Sequence, residues 1–154
     1  MGQSQFRLQS VLNYREQVVE VRQQALAVAE NALQEQRRAL QRARERIRSL
    51  VADIQREQGG GLLDCTQVVR QYAYLEQLET LEHEELERVM ALVRQVQARR
   101  EELTQAMQEK QTLEKLKERH VEQVQREGLR QEGRVLDEIG VIRFRRHKNT
   151  GEGA

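Results

Sequence analysis

The residues able to do chemistry are few and badly spaced for it. The histidines are His83, His120 and His147, the one cysteine is Cys65, and His83-Glu84-Glu85-Leu86 is the nearest approach to a metal motif. A helical metal site needs a second histidine on the same face, which this run lacks, so solvated helix histidines are expected. Gly59-Gly60-Gly61 is followed by Leu62-Leu63-Asp64 rather than by the Lys-Ser/Thr pair that reaches phosphate and magnesium. The triplet therefore reads as a turn. Cys65 has no base placed by sequence to activate it and reads as incidental. Carboxylates abound, but paired acids need a dry concave pocket to act, and thin helices offer none. No active site, metal or cofactor is expected.

One segment is strongly basic: Arg143-Phe144-Arg145-Arg146-His147-Lys148. Its chemistry suits phosphate, of nucleic acid or of lipid headgroups, or an acidic protein surface. With a net charge of +1 and one aromatic nearby, nucleic-acid binding is not expected and any membrane contact is peripheral. The last residues, 149–154, read as disordered.

Composition names the elements that must carry these residues. The 154-residue chain is 33 % charged and 3 % aromatic, without Trp or Pro, at a mean hydropathy of −0.83. Lys+Arg at 26 balances Asp+Glu at 25, so the charge is not that of a self-repelling disordered tail. Gln, Glu, Arg, Leu and Ala keep rotamer freedom in helices, which makes long helices the default except at glycines. A single cysteine and the lack of a leader-like segment point to the cytosol. No apolar run spans a bilayer, and Phe6 stands where a myristoylation signal needs Ser or Thr.

An apolar residue recurs every seventh position at Leu12, Val19, Leu26, Leu33, Leu40, Ile47 and Ile54. Such a repeat keeps one line of side chains facing a partner only in a left-handed coiled coil. Val18, Ala25, Ala29, Ala32, Ala39 and Ala43 flank it and let the partner backbone come close. After the glycine triplet a second 3/4 pattern runs through Val68, Tyr72, Leu75, Leu78, Leu86, Val89, Val93, Val96, Leu103, Met107 and Leu113. The expected fold is all-α: an antiparallel coiled-coil hairpin forming a single domain over 1–154. Helix 1 covers about 5–57, the turn 58–63, helix 2 about 64–142, and a disordered basic tail 143–154.

Folding at Gly60 places residue i opposite about 120 − i. Leu33 then meets Leu86, Leu40 meets Leu81, and Arg37, Arg38, Arg42, Arg44, Arg46 and Arg48 face Glu76, Glu79, Glu82, Glu84, Glu85 and Glu87. The same arithmetic leaves everything beyond about His120 as a C-terminal helical overhang without an intramolecular partner. Gly128, Gly133 and Gly140 weaken it, and Leu129, Val135, Leu136, Ile139 and Ile142 are its sparse apolar residues. Whether the hairpin closes within one chain or by exchange with a second is open, since both bury the same seam.

Three segments, in order, resemble the FliJ family, small coiled-coil components of the bacterial flagellar type III export apparatus with injectisome counterparts. They are Phe6-Arg7-Leu8-Gln9-Ser10-Val11-Leu12-Asn13-Tyr14-Arg15-Glu16, then Gln71-Tyr72-Ala73-Tyr74-Leu75-Glu76-Gln77-Leu78. The third is Glu114-Lys115-Leu116-Lys117-Glu118-Arg119 with Leu136-Asp137-Glu138-Ile139 and Arg143-Phe144. The resemblance implies a non-enzymatic stalk, like the gamma subunit of rotary ATPases, standing in the hexameric flagellar export ATPase ring and reaching toward the export-gate membrane protein. It also implies help to export chaperones and a place at the inner face of the cell membrane, at the flagellar base. On that footing the unpartnered Leu136, Ile139, Ile142, Arg143 and Phe144 are expected to meet the ring. Tyr72, Tyr74 and Leu75 near the turn are expected to meet the gate, with Tyr72 also fitting the seam and Tyr74 pointing elsewhere. The alternative is a generic coiled-coil chaperone or tether gripping clients by its exposed ends.

Overall fold

A computed structural model describes residues 5–62 and 64–151. Two α-helices make up nearly all of them: α1, Gln9–Gln58, and α2, Cys65–Gly151, packed antiparallel as a helical hairpin with no strand among the described residues. Their contacts fall into two units, one joining the start of α1 to the C-terminal part of α2, the other spanning Val18–Met107.

The link between the helices follows from local chemistry. The Gly59 and Gly60 amides donate to the carbonyls of Gln55 and Glu57, both at 3.2 Å, and close the last turn of α1. Gly61 then takes a φ of +87°, which an L side chain resists. Asp64 caps α2: its Oδ1 accepts the Thr66 amide at 3.0 Å, and its carbonyl accepts the Val68 amide at 3.0 Å. Leu63, within the expected turn, lies outside the described residues.

In α1 the seven-residue line faces inward as its spacing requires. Leu12, Val19, Leu33, Leu40 and Ile54 are buried, and Leu26 and Ile47 are half-buried. The second seam line, three residues on, is mixed: Arg15, Arg22, Ala29, Gln36, Ala43 and Leu50 are all half-buried or buried. The α2 seam is also strictly heptad. Its two lines are Val68, Leu75, Glu82, Val89, Val96, Leu103, Lys110, Lys117 and Gln71, Leu78, Glu85, Leu92, Arg99, Ala106, Leu113, His120, every one of them half-buried or buried. A contact between only two helices leaves each seam residue partly accessible, and among the described residues no side chain is fully buried. Long charged side chains can therefore lay their stems in the seam and keep their heads wet.

Within Val18–Met107 the core cluster is Ala29, Leu33 and Val96, with Leu26, Val89 and Leu92 packed around it. Leu86, expected against Leu33, is not a member. Cross-helix pairs explain the offset: Arg22 with Glu102, and in the other unit Arg15 with Glu109, each set residue i against 124 − i. The turn centres between Gln58 and Cys65 rather than on Gly60, and side chains lean toward their own helix N-termini, which raises the sum further.

Among the described residues no buried polar side-chain atom lacks a hydrogen-bond partner. Glu85, 9 % exposed, accepts from Gln36 Nε2 across the seam and from Arg88 Nη1 at 2.9 Å. Glu102 Oε2 accepts from Arg22 Nη1 at 2.8 Å and Arg99 Nη1 at 3.0 Å. Arg44 bonds Glu82 at 2.8 Å and Arg100 bonds Glu30 at 2.9 Å. Of the arginine-to-glutamate facing expected for residues 37–48, Arg44–Glu82 forms, whereas Arg38 bonds Glu35 on its own helix.

The helix ends depart from expectation in one important place. Helix α2 continues through Ile142 to Gly151, so Arg143 to Lys148 are helical rather than a disordered tail. No proline interrupts, Gly140 alone does not stop a helix, and basic residues in the last turns oppose the negative end of the helix dipole. Residues 1–4 and 152–154 lie outside the described residues.

Candidate functional site

The chemically capable side chains lie far apart along the helices. His83 Nε2 sits 3.3 Å from Glu87 Oε1 one turn on, with both side chains exposed. His120 occupies a seam position and meets the Phe6 ring at 5.7 Å between centroids, tilted 45°. Cys65 opens α2 and is exposed. Among the described residues, no three His, Cys, Asp or Glu side chains gather as a metal site would require. What the fold displays instead is apolar surface.

The first display is beside the turn. Leu75 lies in the α2 seam and is half-buried. Tyr72 does not: it is 50 % exposed on one flank of the seam, its hydroxyl accepting from Gln58 Nε2 at 3.4 Å. The seam line passes through Gln71, whose side chain donates to Glu57, so the 3/4 reading that made Tyr72 a core residue is corrected by one position. Tyr74 is 49 % exposed on the opposite flank. Two further exposed side chains join this region, Leu62 in the turn and Val69 on α2. Leu62 carries no periodic signal, and Val69 is hidden in sequence by its seam neighbour Val68.

The second display is the arm of α2 beyond His120, where every residue from 121 to 149 is exposed except the half-buried Gly133. Leu136, Ile139, Ile142, Arg143 and Phe144 are all there, and all exposed. They do not form one patch. At 100° per residue, Ile139 and Ile142 share a side with Val135, whereas Phe144 stands well around the helix from them. Leu136 and Phe144 instead border a shallow groove with Asp137, Gly140, Val141, Arg145 and Lys148. No described helix is long and apolar enough to cross a membrane.

The fold is that of a helical coiled-coil protein with apolar side chains exposed beside the turn and on the arm. The sequence pattern of the flagellar FliJ protein family matches residues 4–149. The chain belongs to that family, a non-catalytic component of flagellar, type III protein export. Among solved structures it is similar to a chain described as a YscO homolog from Chlamydia trachomatis, at 21 % identity and a TM-score of 0.47, over 94 % of this chain and 98 % of that one. No curated protein matches.

Proposed function

We propose that this chain is the coupling stalk of the flagellar export ATPase, with its arm in the hexameric ring through Leu136, Ile139, Ile142, Arg143 and Phe144. On this reading the turn end, with Tyr72, Tyr74 and Leu75, meets the export-gate membrane protein, and export chaperones are assisted at the inner face of the cell membrane. One observation carries it: α2 outruns α1, leaving a helical arm with six strongly exposed large apolar residues, Leu129, Val135, Leu136, Val141, Ile142 and Phe144. Large apolar side chains held in water on a helix with no internal partner support a role in contact with another protein. A single asymmetric helix in a six-fold ring touches the subunits unequally, and unequal contact shifts their nucleotide states relative to one another.

The test is ATP hydrolysis by the purified export ATPase, with the full chain and with a chain ending at residue 120. Stimulation by the full chain and its loss on truncation support the stalk. Equal stimulation by both refutes it, and capture of unfolded clients without any stimulation by the full chain moves the assignment to a generic chaperone or tether.

A further inference from the structure

Helix α1 carries a second seven-residue pattern that α2 leaves open. Val18, Val21, Ala25, Val28 and Ala32 follow one another at alternating spacings of three and four, beside the seam line that holds Val19, Leu26 and Leu33. At 100° per residue they fall within about 80° of arc on one side of the helix. Within Val18–Met107, Val21 is 61 % and Val28 70 % exposed, Ala32 is exposed, and Val18 and Ala25 are half-buried next to the seam. In the sequence the spacing reaches back to Val11 and Tyr14, both exposed, and it stops at Glu35, which bonds Arg38 on its own helix.

The period says what kind of surface fits. Because α1 already supercoils with α2, a second seven-residue line keeps a constant place beside the first, and another helix can join the same supercoil along it. Charge then says which helix. From Val18 to Gln34 the charged residues are Glu20, Arg22 and Glu30, in a chain that is 33 % charged. Arg22 donates to Glu102 at 2.8 Å and Glu30 accepts from Arg100 at 2.9 Å, so the hairpin neutralises two of the three. The outer flank, one residue before Ala25 and Ala32, holds Gln24 and Asn31. Unlike helices select each other by opposite charges on such flanks, and this face has none to offer. A second copy brings the same uncharged flank and repels nothing. Nucleic acid and anionic lipid both call for cations, which the face lacks.

We propose that Val18, Val21, Ala25, Val28 and Ala32 form a self-association face, on which α1 of a second copy packs about a two-fold axis. Ala25 and Ala32 let the two backbones come close, and the valines fill the space beside them. One helix face on another is a small contact, so dimerisation in the micromolar range is expected. The inference rests on this chain's own surface and stands or falls independently of the stalk reading.

Sedimentation velocity of the purified full-length chain, from about 1 μM to about 1 mM, tests it. Wild type should pass from monomer to dimer across that range. Val21→Glu with Val28→Glu should raise the dissociation constant about tenfold or more, since like charges then meet, while circular dichroism keeps its helical signal because Glu favours helix over Val. Mixing that variant with Val21→Lys, Val28→Lys should restore dimers. Val69→Glu, at an exposed position on α2, should leave dimerisation unchanged. A wild-type chain that stays monomeric throughout overturns the proposal and leaves the face to an unlike helix. Dimers that persist in the glutamate variant overturn it too, because they form elsewhere or by exchange of helices through the seam. If the glutamate variant loses helicity as well, the mixture decides, and failure to restore dimers counts against the face.

Discussion

The bond between Gln36 and Glu85 offers the sharpest test of how the hairpin holds together. Glu85 is 9 % exposed at the centre of the α2 seam and accepts from Gln36 across the interface and from Arg88 on its own helix. In Glu85→Ala, Arg88 rehydrates, because its side chain is 58 % exposed, whereas Gln36 loses its partner within the contact. A hydrogen bond to a charged acceptor contributes about 1.5–3 kcal/mol, and at about 2–4 °C per kcal/mol for a chain of this size the midpoint should fall by about 3–12 °C. Replacing both residues by leucine restores an apolar seam layer and removes the desolvated carboxylate. That double variant should be more stable than wild type, by about 1–3 kcal/mol. Thermal and urea unfolding followed by circular dichroism at 222 nm measure both. A double variant that unfolds before wild type would refute the desolvation cost assigned to this pair, and a Glu85→Ala midpoint that does not move would refute the stabilisation assigned to its bonds.

Other substitutions separate the parts of the molecule. Leu33→Ala removes a buried member of the Ala29–Leu33–Val96 cluster and should cost about 2–4 kcal/mol, whereas Val28→Ala, 70 % exposed, should change the unfolding midpoint little. Gly61→Ala forces a side chain onto a positive φ and should destabilise by about 1–2 kcal/mol in the same assay, with Gly59→Ala close to neutral. Tyr74→Ala should leave helicity intact while weakening affinity for the purified export-gate protein, as read by calorimetry; equal loss of both would make Tyr74 structural.

Much of this fold is legible in the residues, and the illegible part has a physical cause. The line from Leu12 to Ile54 is apolar at all seven positions, so its direction, period and partner requirement can be read directly. The α2 seam places Glu82, Glu85, Arg99, Lys110 and Lys117 where an apolar count expects gaps. Counting only apolar residues therefore drifts onto Tyr72, Val93 and Met107, which flank the seam and are exposed. In a thick core such charges would be prohibitive; between two helices their heads reach water, so the rule that exposes the drift is the seven-residue spacing, not hydrophobicity. The arm was recognisable as unpartnered from the unequal lengths on either side of the glycines. Its continuation to Gly151 was not, because sparse apolar content reads as fraying although no residue from 129 to 148 enforces a stop.

The cross-helix bonds also prescribe an order of assembly. The bond from Gln67 to Glu57 spans 10 residues and that from Arg15 to Glu109 spans 94. Closing the wide loop first would surrender far more chain entropy than extending a pair already joined near residue 60, so zippering starts at the bend and reaches the termini last. Separation by heat or force retraces that path from the opposite end. The first stretch to come apart is then the one where Phe6 stacks on His120, immediately before the arm begins. On the proposed stalk reading, a ring gripping the arm would pull where the zipper is easiest to open, and mechanical work would peel the pair stepwise rather than shear it all at once.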